Sequence, residues 1–190
     1  MIRRSAPLAL SVLLLSATST AAQSNPAIGP FSKGATTIEF GGAVLDEAWN
    51  LNEQREWMFE GIAGIWWACS SHFTIGGEFQ HARVFQKTPS AFVQGLSPLV
   101  RWSPIKRDNW NFYLEAGPGV SWSDLEVPPR GTKFNYLFQS SGGLMRRVGR
   151  NTHALAAFRF VHLSNHFREG HDRNPDLEML GAYAALAISF

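Results

Sequence analysis

The feature that most limits what this chain can become is a two-residue alternation of apolar and polar side chains, repeated in eight stretches. Successive side chains of a strand point to opposite faces, so each such stretch has one apolar and one polar face. Trp110 to Trp122 shows it most clearly: Trp110, Phe112, Leu114, Val120 and Trp122 share one face, and Asn111, Glu115, Gly119 and Ser121 the other. The pattern also runs through Thr36 to Leu45, Trp57 to Cys69, Phe73 to Val84, Phe92 to Trp102 and Phe134 to Met145. Two final stretches carry His153 to Ser164 and Glu178 to Phe190. Pro98 and Pro118 fall inside two of these; without an N–H to donate, they predict bulges or strand ends there.

The faces opposite the aromatics carry Glu39, Glu60, Glu78, Arg101, Glu115 and Arg159. A water-soluble, lipocalin-like barrel would turn those groups outward and pack 14 Phe and 7 Trp inside. The interior of an eight-stranded barrel only just accommodates its own side chains, so that aromatic load overfills it. With the aromatics outside, in lipid, the same alternation becomes a membrane wall with interfacial girdles. The sequence therefore predicts an all-β fold, an eight-stranded antiparallel transmembrane β-barrel of the bacterial outer membrane. A helical membrane protein is excluded, because no later apolar run reaches the about 20 residues a spanning helix needs.

The first residues read as a secretory signal: Met1-Ile2-Arg3-Arg4, an apolar run from Leu8 to Leu15, and small residues up to Ala22. Cleavage after Ala22 takes 22 of the 190 residues and leaves 168, a single barrel domain over 23–190. Arg3 and Arg4 leave with the signal, which lowers 17 basic residues to 15 against 15 acidic ones. A formally neutral chain gives no reason to expect a nucleic-acid partner. One cysteine, Cys69, permits no internal disulfide.

Connection lengths orient the barrel. The joints at Ser70 to His72, Ser103 to Asn109 and Val148 to Arg150 are short, whereas Asp46 to Glu56, Phe85 to Ser90, Ser123 to Lys133 and Asn165 to Asp176 are longer. Short turns face the periplasm and long loops the outside. The seventh strand then runs outward and the eighth returns, which brings His162, Ser164 and Glu178 to the extracellular rim.

By parity His162 and Ser164 share a face with Phe158 and Phe160, and Glu178 shares one with Leu180 and Leu186. All three thus lie on the lipid side, an unusual place for polar groups unless the substrate is a lipid. Two residues apart on a strand, the imidazole of His162 is within reach of the Ser164 hydroxyl and can take its proton as it attacks a carbonyl. Glu178 can hold the other ring nitrogen, and Asn165, Asn174 or loop N–H groups can supply an oxyanion site.

His162-Leu163-Ser164-Asn165, followed by Asn174-Pro175, Glu178 and an apolar strand ending in Phe190, resembles the signature of the lipid A 3-O-deacylases, the PagL family of outer-membrane enzymes. The resemblance covers about the last thirty residues. It implies a serine esterase acting on lipid A of lipopolysaccharide, with no metal or other cofactor. Carried over, Ser164 is the nucleophile, His162 the base, Glu178 the orienting acid and Asn174 an oxyanion contributor. Small residues usually follow the Ser-Asn of the family, whereas His166-Phe167 stand here and the loop to Asn174 is longer.

Other readings compete with this one. A non-catalytic structural or adhesive barrel would use the same residues as rim polarity. His162, His166, His171, Asp172, Asp176 and Glu178 crowd together as a metal site would, but without a helical HExxH frame. Arg168, Arg173, Arg130, Lys133, Arg83 and Lys87 lie in or beside the outer loops, where guanidinium and ammonium groups can meet lipid A phosphates. A homodimer is compatible with the sequence.

Overall fold

The computed structural model describes residues 27–49, 55–87 and 89–190; the signal segment lies outside them. Eight strands close into one antiparallel barrel in chain order. They are β1 (Thr36–Glu47), β2 (Trp57–Ala68), β3 (Phe73–Phe85), β4 (Ala91–Lys106), β5 (Trp110–Val127), β6 (Thr132–Arg147), β7 (Thr152–Ser164) and β8 (Leu177–Ser189). Closure pairs Thr37 with Ser189 and Glu47 with Met179. Close approach of β8 to β1 requires Gly181, where a Cβ would lie 1.9 Å from the Val44 carbonyl oxygen.

The alternation sorts the side chains as the sequence predicts. Phe158 (74% exposed), Phe40 (61%) and Ile65 (59%) project outward, while Glu39, Glu78, Arg101 and Arg159 are fully buried. Buried charges persist only when paired and hydrogen-bonded. Arg101 forks onto both Glu39 oxygens at 2.9 Å and reaches Glu115 at 2.7 Å. Tyr183 donates to Glu39 at 2.6 Å. Arg159 lies 3.0 Å from both Glu60 and Glu78 and donates to Gln139 at 2.7 Å. Trp66 departs from the outward rule: it is buried beneath the Arg101 guanidinium, 3.8 Å from ring centre to Cζ. The interior is thus filled by two arginine-centred networks rather than by an open channel.

Several expected boundaries move. Neither Pro98 nor Pro118 makes a bulge or ends a strand. The register is the same at Leu96↔Val120 and Val100↔Ala116, so the two prolines sit opposite each other. Residues directly opposite in an antiparallel pair exchange both ladder bonds or none, so both missing donors fall on one rung. The register shifts lie elsewhere, between Trp102 and Ile105 and between Trp122 and Val127. β5 and β6 also run further than their alternation, so the outer connection expected over Ser123 to Lys133 shrinks to residues 128–131.

Residues 27–35 pack against the end of the barrel where β1 begins and β8 ends. Phe31 is buried, the Ile28 N–H donates to Asn151 Oδ1 at 3.2 Å, and the Phe190 N–H donates to the Thr36 carbonyl at 2.8 Å. The aperiodic sequence there holds no signal of this docking.

Candidate active site

β6, β7 and β8 form the wall that carries the site. Val161 and Leu163 point into the barrel and are buried, which turns His162 and Ser164 outward. Register then sets their neighbours: His162 lies opposite Phe138 on β6 and Glu178 on β8, and Ser164 lies opposite Tyr136. The His162 Nδ1 is 3.0 Å from Glu178 Oε1. Glu178 is only 9% exposed although it faces outward, and the Ala48 N–H donates to its backbone carbonyl at 2.8 Å, one rung beyond the Glu47–Met179 pair. Trp49, next in the chain after Ala48, stacks on Phe160 with ring centres 6.3 Å apart.

The Ser164 hydroxyl does not donate to His162. It donates instead to Asn174 Oδ1 at 3.1 Å and accepts the His166 N–H at 3.1 Å. The Asn165 N–H also donates to Asn174 Oδ1, at 2.8 Å, and Asp176 accepts from Asn174 Nδ2 at 2.8 Å. A backbone donor on one side and a carboxylate on the other leave one orientation for the Asn174 amide. Its oxygen faces the serine, so its N–H groups point away from the place an oxyanion would occupy. Asn165 is buried and donates to the Arg173 carbonyl, which ties the start of the loop to its end.

The connecting loop turns through two left-handed residues, His166 (φ 53°) and Phe167 (φ 60°), then Gly170 (φ 94°) and a single 3₁₀ turn, His171–Arg173. Phe167 stacks on His171 at 5.3 Å, and His166 meets Tyr136 edge-on at 6.3 Å. Arg173 is engaged by carboxylates, Glu126 at 2.8 Å and Glu169 at 2.7 Å. Arg168 instead lies over the Phe134 ring, 5.8 Å from its centre, with Tyr136 Oη at 3.5 Å.

Of the six crowded metal-binding types, His162, Asp176 and Glu178 have donor atoms within 4.8 Å of one another. His166, His171 and Asp172 do not join them. Within the group His162 is bonded to Glu178, and Asp176 to Asn174.

Below the hydroxyl an apolar groove of about 370 Å³ opens on the lipid side, lined by Tyr136, Leu137, Phe138, His162, Ser164 and His166. The β6 residues of this wall were not legible as site residues. They lie more than twenty positions upstream and join the site only through strand pairing.

The family model of PagL, lipid A 3-O-deacylase, matches residues 43–187. The chain belongs to the PagL family. Among solved structures it is similar to the outer-membrane enzyme PagL, at 15% identity and TM-score 0.53 over 80% of this chain and 97% of that one. It is also similar to neisserial surface protein A, at 11% identity and TM-score 0.65, over 83% of this chain and all of the other. The outer-membrane protein OprG of Pseudomonas aeruginosa matches at 10% identity and TM-score 0.52, over 83% of this chain and 96% of that one. At these identities the structural likenesses speak for the fold. A search of curated proteins gave no match. Family and fold place this PagL-family chain in the bacterial outer membrane. The homodimer finds no support in these comparisons.

Proposed function

We propose that this PagL-family barrel is a serine esterase that removes the ester-linked 3-O acyl chain of lipid A, with Ser164 as nucleophile, His162 as general base and Glu178 as its orienting acid. The observation that carries this reading is the outward-facing His162–Glu178 pair, 3.0 Å apart, beside a serine that opens onto an apolar groove at the outer rim.

Glu178 accepts the Nδ1–H of His162, which leaves the Nε2 lone pair free to take a proton. Rotation of the Ser164 hydroxyl from Asn174 toward His162 brings donor and base together; such contacts commonly tighten only when substrate binds. The Ser164 oxygen attacks the acyl carbonyl, and its proton passes to Nε2. As the tetrahedral intermediate collapses, Nε2 returns the proton to the departing sugar 3-hydroxyl, leaving an acyl ester on Ser164. Water, deprotonated by His162, then releases the fatty acid.

Because the Asn174 N–H groups turn away, backbone N–H groups of the left-handed His166-Phe167 turn are the donors we assign to the oxyanion. Arg168, which has no carboxylate partner among the described residues, is assigned to a lipid A phosphate. Arg173 serves to hold the loop against β5 and β6. The groove takes the acyl chain, and the aromatic wall of Tyr136 and Phe138 limits its width.

Mass spectrometry of lipid A from cells making the wild-type barrel or Ser164→Ala at equal folded levels tests the proposal. Loss of one hydroxyacyl mass in the wild type alone is expected. Unchanged lipid A in both would return the molecule to the non-catalytic class of small barrels.

A further inference from the structure

On the other side of the barrel, four strands from β7, two basic side chains of β3 face lipid without an acceptor. His81 and Arg83 point outward between Phe79 and Phe85. Arg83 lies about 7 Å of strand below Phe85, the outer end of β3. Its guanidinium is held between two rings, 5.1 Å from the centre of Phe85 and 5.3 Å from that of Phe92. His81 stacks on Phe92 at 5.7 Å. Among the described residues no carboxylate or carbonyl takes the N–H groups of either side chain. Asp124, two strands away on β5, accepts the Phe92 N–H at 2.8 Å. The two arginines inside the barrel and Arg173 in the outer loop all have carboxylate partners.

Beneath these two side chains lies an apolar groove of about 520 Å³, lined by Phe59, Gly61, Ile62, Ala63, Phe79 and Phe92 with His81 and Arg83 themselves. Gly61 and Ala63 form its floor, and Phe59 and Phe79 flank it. A lipid-facing guanidinium needs an anionic partner at that depth. Contact with aromatic rings leaves guanidinium N–H groups free to meet one.

We infer that the β2–β4 face is a second, non-catalytic lipid A site, in which His81 and Arg83 bind a sugar phosphate and one acyl chain fills the Gly61–Ala63 groove. The outer end of β3 lies in the leaflet that holds phosphorylated, multiply acylated saccharolipid, and the charge of the site matches that headgroup. The site would keep a lipid A molecule in the barrel's annulus, away from the triad, and it stands whether or not the triad is catalytic.

The test titrates purified Ser164→Ala barrel with bisphosphorylated lipid A and counts bound copies by native mass spectrometry, each variant first confirmed as folded by heat-dependent migration. Two binding steps are expected. Arg83→Gln weakens one of them about tenfold, as for loss of one charge-assisted contact, and removes most of that step's preference for bisphosphorylated over dephosphorylated lipid A. Gly61→Leu also weakens that step by filling the groove; there is room for it, since a Cβ at Gly61 meets nothing nearer than the His81 carbonyl at 3.8 Å. Indifference of every binding step to both substitutions, or equal competition by phosphatidylethanolamine, would overturn the inference. Failure of the esterase reading would appear instead as unaltered lipid A in cells, and would leave the step sensitive to Arg83 and Gly61 in place.

Discussion

His162 and Glu178 face each other across the β7–β8 ladder, directly in register and on the lipid side, with Nδ1 and Oε1 3.0 Å apart. Sixteen positions of chain separate them, and most of that chain is the loop that also carries Asn174. Strand pairing holds this pair, whereas the Ser164 hydroxyl is held by the loop.

Glu178→Gln keeps the shape but removes the charge that selects the imidazole tautomer. Deacylation should fall by about 10³- to 10⁴-fold, in line with loss of the acid from other triads. The barrel should fold as before, because the residue is on its outer wall. Lipid A deacylation assayed in detergent, with urea unfolding alongside, checks both halves.

Removal of divalent metal should leave the rate unchanged. His162, Asp176 and Glu178 lie close enough to share an ion, but hydrogen bonds already use donor atoms of all three. Activity after prolonged chelation is the measurement. Loss that zinc or calcium restores would make the cluster a metal centre.

Phe167 holds a left-handed backbone at φ 60° without being glycine. Phe167→Gly should relieve about 1 kcal/mol of local strain. Amide exchange across residues 165–170 should slow accordingly.

Glu56, in the connection before β2, is buried beside Glu47, and its N–H donates to Glu47 Oε2 at 3.2 Å. Burial first, and then the hydrogen bond and charge of Glu47, push its carboxyl up to about 8 from the ordinary 4.5. The folded chain therefore keeps a proton that the unfolded chain has already lost. Stability from this group is complete below about pH 4.5 and declines as pH rises toward about 8. Unfolding midpoints measured across that range should fall for wild type and flatten for Glu56→Gln.

Arg101 joins Glu39 and Glu115 inside the wall. Arg101→Met leaves two carboxylates buried without their cation, which should cost about 3–5 kcal/mol. Unfolding in lipid vesicles should show that loss. Adding Glu39→Gln and Glu115→Gln should recover much of it.

Much of this molecule was legible along the chain because alternation is a local property. Trp110 to Trp122 names its own two faces, and parity alone puts His162, Ser164 and Glu178 on the lipid side and Arg101 and Arg159 inside. Hydrogen bonding of a strand to a partner is not local, and there the reading stopped short. The pairing of Pro98 with Pro118 on one rung depends on the β4–β5 register, which neither strand encodes alone. Extension of β5 and β6 past their alternation shortened an expected loop, because paired backbone persists where side chains no longer alternate.

The sequence by itself determined the closed barrel and the residue types at its rim, since period and aromatic load leave little else for such a chain to form. Only the tertiary structure decided which of those residues touch. It set His162 on Glu178, turned the Ser164 hydroxyl to Asn174, drew Tyr136 and Phe138 from β6 into the groove, and laid the Arg83 guanidinium against Phe85 and Phe92. Most of these contacts join residues distant in the chain, and it is closure of the sheet that sets which distant residues become neighbours.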